Sequence, residues 1–361
     1  MSHAAQSPLG SSNQNLGVLN PIPSPRFSPP IFNVSDILAQ PLPPGALVFH
    51  SVGDTGGSDT QSIEAVAEAM AADLGQESPP LFYLHLGDVM YGANKDQEYL
   101  DRFYRPYDIY NAPIIAIPGN HDGETKATTD PTSLAAFWGN FCAATAATPV
   151  DVGQTGIQRK TMTQPGVYWM LRSPLADIIG LYSNTGENGG TLSDSHGDQS
   201  QIQFLGQALS MIAADRVGGT RRALVVATHH PPFSSSGHSG SFLMLQQIDQ
   251  ACETAGFYPD LVLSGHAHNY QRYTRDFTFG AATISRPYIV VGTGGYGQQA
   301  VASPIGTVTQ GANGQVTYVQ ATKAYGYLIV SVTATSIVVT MKTVSSDGTA
   351  TEFDTTTIQI S

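Results

Sequence analysis

Short apolar runs, most of them followed within a few residues by glycine, aspartate or histidine, recur along this chain and constrain its fold more than any other feature. They are too short for helices, and runs of this length are typical of strands that are buried on both faces of a mainly parallel sheet. Helical patterns occupy gaps between them, and this alternation predicts an α/β fold. The runs interpreted as buried strands are 46–52, 81–86, 114–117, 178–182, 223–227 and 261–263.

Two stretches carry the apolar periodicity of amphipathic helices. In residues 59–74 the apolar side chains recur at intervals of three and four, and residues 199–214 repeat the pattern. After His268 the pattern changes to the alternation of strands, and we expect an antiparallel sheet that closes the domain. Its expected strands are 288–291, 325–332, 336–343 and 353–360.

The chain divides into an arm and a body. Residues 1–45 are rich in proline and serine and predict an extended arm, whereas residues 46–361 predict a single domain because no linker interrupts the recurring motifs. The arm has no apolar core of signal-peptide length, and no stretch of the sequence has the length of a membrane span. We therefore expect a cytoplasmic location by default, and an exported form if a leader is missing from this sequence.

The charge balance restricts the partners of the protein. The net charge is −12 and the sequence has no basic stripe, which argues against nucleic acid or an anionic membrane as partner. An anionic substrate would then need local positive charge. Metal ions are the natural source of that charge.

Candidate metal ligands follow the ends of the predicted strands. Because parallel strands place their carboxyl ends at one edge of a sheet, side chains that are far apart in the sequence can share a site there. Taken singly, Asp54 or Asp88 is more typical of a turn or a helix cap. Several segments of this kind, each following a predicted strand along the chain, instead favour a metal site. The candidates are Asp54, Asp88, Tyr91, Asn120, His121, His229, His266 and His268.

These segments resemble the motifs of the calcineurin-like metallophosphoesterases, and within that superfamily they are similar to those of the purple acid phosphatases. Ordinary members carry histidine two residues after the first aspartate, where this chain has Gly56. The purple branch lacks that histidine and has a tyrosine three residues after the second aspartate, here Tyr91. The matching segments are Gly53-Asp54-Thr55-Gly56, Gly87-Asp88-Val89-Met90-Tyr91, Gly119-Asn120-His121-Asp122, Val226-Ala227-Thr228-His229 and Gly265-His266-Ala267-His268.

The resemblance implies a fold and a binuclear metal centre. The fold would be an αββα sandwich of two mixed sheets flanked by helices, with the active site at the carboxyl ends of strands. A first metal would be held by Asp54, Tyr91 and His268, and Asp88 would bridge to a second, divalent metal. The ligands of the second metal would be Asn120, His229 and His266. A tyrosine phenolate is a hard anionic donor, which favours Fe(III) at the first position, and Fe, Zn or Mn would occupy the second.

The resemblance also implies an activity. The protein would be an acid phosphatase that hydrolyses small phosphate monoesters by attack of a metal-bound hydroxide. Asn120, His121 and His238 would bind the phosphate, and the two histidines would serve as proton donors to the leaving group. His238 lies nine residues after His229, an offset that matches the purple family. His230 and Asp122 are expected to have structural roles, and the oligomeric state is left open.

Alternative functions of the same fold stay open. A phosphodiesterase that uses Mn, Zn or Fe would share most ligands, but would more naturally keep the histidine that Gly56 replaces. A non-catalytic interaction module should have lost ligands or His121, and a redox role would require the iron to cycle. Since this sequence retains all of the expected metal ligands and His121, it predicts a metal-dependent phosphoric ester hydrolase.

Overall fold

The computed structural model describes residues 22–57, 59–91, 98–123, 134–149, 152–153, 155–185, 190–193, 198–301, 304–311 and 313–360. Residues 1–21 of the predicted arm lie outside this set. The helices are α1 (Thr60–Asp73), α2 (Ala135–Phe141), α3 (Ser200–Val217) and α4 (Phe242–Ala255), with a 3-10 turn at Val34–Asp36 and a π-helical turn at Leu100–Tyr104. The strands are β1 (Ile31–Asn33), β2 (Leu47–Val52), β3 (Tyr83–His85), β4 (Ile114–Ala116), β5 (Trp169–Arg172), β6 (Ala176–Leu181), β7 (Ala223–Thr228), β8 (Leu261–Ser264), β9 (Tyr270–Phe279), β10 (Ala282–Val291), β11 (Val308–Gly311), β12 (Gly314–Thr322), β13 (Gly326–Val332), β14 (Ser336–Val344) and β15 (Ala350–Gln359).

These strands form two mixed sheets, one of six strands and one of nine. The order in the smaller sheet is β15-β14-β13-β2-β3-β4, in which β2, β3 and β4 are parallel and the others antiparallel. The order in the larger sheet is β1-β5-β6-β7-β8-β10-β9-β12-β11, with β6, β7, β8 and β10 parallel. Helices flank the sheets, so the predicted α/β sandwich of two mixed sheets is confirmed.

The buried strands form where the apolar runs predict them. The six runs correspond to β2, β3, β4, β6, β7 and β8, with ends shifted by two residues at most. Every residue of β2, β6, β7 and β8 is buried, because these strands carry packed layers on both faces. Both predicted helices are present as α1 and α3, and the side chains of the α1 stripe, among them Ile63, Val66 and Met70, are fully buried.

Helix α4 was not predicted, although its ends carry clear signals. The Ser241 hydroxyl accepts a hydrogen bond from the Met244 N–H at 3.2 Å and caps the first turn. Gly256 ends the helix with φ at +85°, in the left-handed region that glycine adopts readily. Among the described residues, no helix combines the length and the apolar character that crossing a membrane requires.

The expectation of one closing antiparallel sheet is wrong in part. Strands β13, β14 and β15 do pair in antiparallel order, but they extend the smaller sheet through the pairing of β13 with β2. The run at 288–291 belongs to β10, which lies in the larger sheet and pairs in parallel with β8. The physical reason is burial, because the last five residues of β10 are all buried and fit the interior of a sheet.

The structure describes residues 22–45 of the predicted arm, and this part contributes one strand to the larger sheet. Residues Ile31–Asn33 form β1 at its edge and pair in parallel with β5, with Ile31 opposite Met170. Phe32 is buried and its ring lies 5.5 Å from that of Trp169 in an edge-to-face arrangement. The division into an arm and a single domain at residue 45 stays a prediction.

Candidate metal centre

The candidate ligands meet where strand ends of both sheets approach each other. Asp54, Asp88 and Asn120 follow β2, β3 and β4 of the smaller sheet. His229 follows β7 at once, and His266 lies two residues after β8, in the larger sheet. The expectation that the site forms along the edge of one sheet is therefore corrected: two sheets share it. The approach is direct, since the Gly53 N–H donates to the Val291 carbonyl at the end of β10 over 3.0 Å.

Three of the candidate ligands hold a backbone conformation that side chains other than glycine rarely adopt. The φ angles of Asp54, Asp88 and His266 are +60°, +52° and +68°. Such left-handed residues carry strain of about 1–3 kcal/mol each and persist where the surroundings impose them, which is common at functional sites. Strained backbone at three candidate ligands is therefore consistent with a functional site at these strand ends.

One group of donor atoms is centred on His229. The ligand atoms of Asp88, His229 and His266 all lie within 4.8 Å of one another, and all three residues are buried. The side-chain oxygen of Asn120 lies 3.1 Å from Nε2 of His229 and 2.9 Å from Nδ1 of His266. The Leu86 carbonyl accepts from Nδ1 of His229 at 2.8 Å, which directs Nε2 into the group.

A second group of donor atoms lies beside the first. The Tyr91 hydroxyl donates to Oδ1 of Asp54 at 3.0 Å and lies 3.1 Å from Nε2 of His268. The Gly297 carbonyl accepts from Nδ1 of His268 at 3.0 Å, so the Nε2 lone pair faces the phenol and the carboxylate. The other oxygen of Asp54 accepts from the His266 N–H at 2.8 Å, which ties the two groups together.

The electrostatics of both groups suit cations. Burial raises the pKa of Asp54 to about 7, and burial together with the charges of Asp54 and Asp88 raises the pKa of Tyr91 well above its ordinary value. Burial also lowers the pKa of His268 to about 4, so this imidazole is neutral and offers a lone pair. Although burial opposes it, the charge of Asp88 raises the pKa of His229 to about 9. A carboxylate and a phenol whose anionic forms are disfavoured by burial would be stabilised by a bound cation, and the neutral imidazole of His268 offers it a lone pair. A cation could also take the place of the proton on His229 beside Asp88, so the residues fit the expected metals.

Asp88 contacts members of both groups. One of its oxygens lies 3.3 Å from Nε2 of His229, and the other accepts from the His121 backbone N–H at 2.9 Å. Its charge and a hydrogen bond also act on Tyr91 of the second group. This position between the two groups is the one that a bridging carboxylate would need. The assignment of the individual ligands stays a prediction.

The two histidines predicted to act on the substrate lie at the rim of the site. The ring of His121 lies 4.5 Å from that of Tyr91, and the ring of His238 lies 4.4 Å from that of His266. Both side chains are partly exposed, whereas the candidate metal ligands are buried. The structure thus places them where an external molecule reaches them.

The histidine and the aspartate that were predicted to be structural, His230 and Asp122, are buried and hydrogen-bonded. His230 is hydrogen-bonded to the Ser183 hydroxyl at 2.9 Å, and burial lowers its pKa well below the ordinary value. Asp122 accepts from the N–H groups of Gly119, Val89 and Met90 at 2.8, 3.3 and 3.2 Å. It therefore joins the loop that carries Asn120 to the loop that carries Tyr91. These hydrogen bonds agree with the structural role predicted for Asp122.

The structure explains why glycine occupies position 56. A β-carbon on Gly56 would lie 2.4 Å from the Cα of Met90 and 2.4 Å from the Val89 carbonyl oxygen. The backbone that leads to Tyr91 therefore fills the space in which a side chain at position 56 would begin. Position 56 therefore has no room for a histidine while the backbone of Val89 and Met90 keeps this place, and the sequence alone could not reveal this contact.

Two contributors to the site were missed in the sequence. The Arg102 guanidinium binds the carbonyl oxygens of Gly56 and Tyr91 and pairs with Glu98 at 2.8 Å. Tyr296 stacks on Tyr91 with ring centroids 3.6 Å apart. The only available signals were the Glu98 to Arg102 spacing of four residues and the glycine-rich loop after β10. Neither signal identifies a residue as part of a site.

Comparison with known proteins agrees with this geometry. Residues 47–270 match the family model of the calcineurin-like phosphoesterases, and the chain belongs to this family. A structure described as GAP50, the anchor in the inner membrane complex of Plasmodium, shares the fold with a TM-score of 0.60 at 15% identity, covering 88% of this chain and 90% of that one. A structure of PhoD has a TM-score of 0.52 at 14% identity, covering 94% and 72%. A search of curated proteins found no significant match.

Proposed function

We propose that this member of the family is a dimetal acid phosphatase that hydrolyses phosphate monoesters. The observation that carries the proposal is the position of the Tyr91 hydroxyl, 3.0 Å from Asp54 Oδ1 and 3.1 Å from His268 Nε2. A phenol, a carboxylate and an imidazole that meet in a buried place suit Fe(III), because a phenolate is a hard anionic donor. The group around His229 has two imidazoles, an amide and a carboxylate, and it suits Fe, Zn or Mn as the divalent ion.

The residues of the chain would hold and complement these ions. Asp54, Tyr91 and His268 would hold Fe(III), Asp88 would bridge, and Asn120 would hold the divalent ion together with the imidazoles of the first group. When bound, the two ions would supply positive charge for the phosphoryl group and lower the pKa of a water molecule that attacks phosphorus. This charge would compensate for the acidic balance of the chain, whose net charge is −12.

Three side chains are proposed to handle the phosphate. With its oxygen toward His229, Asn120 keeps its amide N–H groups for a phosphate oxygen. His121 and His238 flank the two groups of ligands on their exposed side and would donate hydrogen bonds to the phosphate. As the bond from phosphorus to the leaving oxygen breaks, one imidazolium would give that oxygen its proton. The substrate would be a small phosphorylated molecule.

Metal analysis combined with a visible spectrum tests the proposal. We expect iron together with a second metal, and a colour that arises from charge transfer between the phenolate and Fe(III). Tyr91→Phe should lose that colour and the ability to retain iron, because the phenol oxygen is removed. Tyr318→Phe is the matched control, since Tyr318 is also buried and its hydroxyl has no hydrogen-bond partner among the described residues. A colourless and iron-free enzyme with full activity would contradict the iron assignment.

The choice between monoesters and diesters needs a separate measurement. The rate of hydrolysis of an aryl phosphate monoester and of the corresponding diester should be followed from acid to alkaline pH. We expect preference for the monoester with an acid optimum, since Fe(III) activates water at low pH. Preference for the diester with an alkaline optimum would instead support a phosphodiesterase of the same family.

A further inference from the structure

Tyr296 lies against the candidate metal ligands and not in the hydrophobic core. It is carried by the loop after β10, and its N–H donates to the Asp54 carbonyl over 3.0 Å. Its ring stacks on that of Tyr91 with centroids 3.6 Å apart and an angle of 6° between the planes. Its ring also meets that of His268 in an edge-to-face arrangement at 4.7 Å. The Tyr296 ring therefore contacts Tyr91 and His268, two candidate ligands of the same metal, although the Tyr296 side chain is only partly buried.

Two further rings lie close to that of Tyr91. Tyr296 covers one side, and the ring of His121 lies 4.5 Å away at an angle of 39°. A β-carbon on Gly57 would lie 3.0 Å from Cδ2 of Tyr296 and 3.4 Å from its Cα. The missing side chain at position 57 thus gives the Tyr296 ring the room that the stack requires. Nearly parallel aromatic rings in contact restrict each other's rotation and exclude water from the covered face.

We propose that Tyr296 is a positioning residue for the phenol of Tyr91. Its ring would fix the plane of the phenol, so that the hydroxyl oxygen stays directed between Asp54 and His268, and it would keep water from that side of the metal. The inference rests on the proposed role of Tyr91 as a metal ligand. Groups that orient a metal ligand without touching the metal commonly alter metal affinity by 10- to 100-fold, which sets the scale of the effect.

Three variants of the full chain, loaded with iron and a divalent metal, test the inference. Tyr296→Leu removes the ring and keeps apolar bulk, Tyr296→Phe keeps the ring, and Gly57→Ala crowds the stack. We expect Tyr296→Leu to shift the wavelength of the phenolate band and to speed iron loss to a chelator by about tenfold. Tyr296→Phe should resemble the wild type in both, and Gly57→Ala should show an intermediate change. A role limited to packing would change the melting temperature of the metal-free protein but not the wavelength of the band.

The outcomes separate this inference from the proposed function. If the wild type shows the band, and Tyr296→Leu leaves both its wavelength and the rate of iron loss unchanged, the positioning role is wrong. If the wild type shows no band with iron, the proposed iron site is wrong. The positioning role is then decided by loss of Zn(II) to a chelator, where faster loss from Tyr296→Leu than from Tyr296→Phe supports it and equal rates overturn it.

Discussion

The Cα of Met90 occupies the space of a side chain at Gly56, since a β-carbon on Gly56 would lie only 2.4 Å from it. Real β-carbons do not approach another carbon so closely, so any other residue at position 56 forces the loop of Met90 to move. The same loop carries Tyr91, whose hydroxyl reaches Asp54. The geometry therefore links the residue type at position 56 to the position of a candidate metal ligand.

Gly56→Ala should destabilise the protein and weaken metal retention. We expect a loss of about 1–3 kcal/mol in the free energy of unfolding, because one methyl group is forced against backbone that is already packed. Denaturant unfolding and metal content after dialysis measure the two effects. Gly206→Ala in helix α3 is the control, since a β-carbon there meets no atom of the described residues outside its own helix backbone within 4 Å. It should be neutral or stabilising by up to about 1 kcal/mol. Equal behaviour of the two variants would refute the steric argument.

Asp122→Ala should lower metal affinity without removing a proposed ligand. The substitution leaves the N–H groups of Gly119, Val89 and Met90 without their acceptor. We expect the metal dissociation constant to rise by about 10- to 100-fold, because these N–H groups hold the loops that carry the ligands. Asp122→Asn keeps one oxygen acceptor and should recover part of the affinity. Titration calorimetry with Zn(II) measures both variants, and unchanged affinity in Asp122→Ala would show that the loops keep their places without it.

His121→Ala should affect substrates according to their leaving groups. If His121 donates the proton, alkyl phosphates should lose about 100-fold or more in kcat, whereas aryl phosphates with acidic leaving groups should lose much less. The dependence of kcat on the pKa of the leaving alcohol measures this, and its slope should become steeper. His238→Ala is the companion variant, because the His238 ring lies at the same rim beside His266. A uniform loss for all leaving groups would assign His121 to phosphate binding alone.

Asp73, at the end of helix α1 and outside the candidate metal centre, should make the stability of the fold sensitive to acid. Its carboxylate lies 3.3 Å from Nε2 of His50 and accepts from Tyr327 and Lys342, both at 2.7 Å. Burial raises its pKa, but these hydrogen bonds outweigh burial and lower the pKa from 3.8 to about 2. A carboxyl group whose pKa is lower in the folded state than in the unfolded state stabilises the fold at pH values above its unfolded-state pKa. This stabilisation is lost as the pH falls toward 2.

The Asp73→Asn variant isolates this contribution. We expect a cost of about 2 kcal/mol in the free energy of unfolding at neutral pH, since one pKa unit corresponds to about 1.4 kcal/mol. The difference from the wild type should be constant above about pH 5 and should shrink as the pH is lowered to 2. Urea unfolding of both proteins across this range measures it. A difference that does not change with pH would mean that the Asp73 pKa is not lowered by folding.

Much of the fold follows from local patterns. The apolar run that became β2 and the stripe that became α1 were predicted within a residue or two, because burial and periodicity act over a few neighbouring residues. Helix α4 was missed although Ser241 and Gly256 mark its ends, since such signals also occur in loops. The run at 288–291 was assigned to the wrong sheet, because a strand's partners are chosen by tertiary contacts.

The candidate site was predictable in its members but not in its arrangement. Asp54, His229 and His266 were selected because metal-binding residue types follow apolar runs, and the structure brings them together. Tyr296 and Arg102 were not selected, because a tyrosine in a glycine-rich loop and an arginine in a helical turn have many ordinary roles. Their part in the site depends on contacts with residues that lie elsewhere in the chain.

The sequence by itself determined the family and the set of chemical groups, since residue types and their order along the chain are carried by the motifs. Only the tertiary structure decided that two sheets share the site, that Asp88 lies beside His229 and the His121 backbone, and that Tyr296 stacks on Tyr91. The physical reason is that distances between residues far apart in sequence arise from the packing of whole strands and loops. No local pattern encodes them.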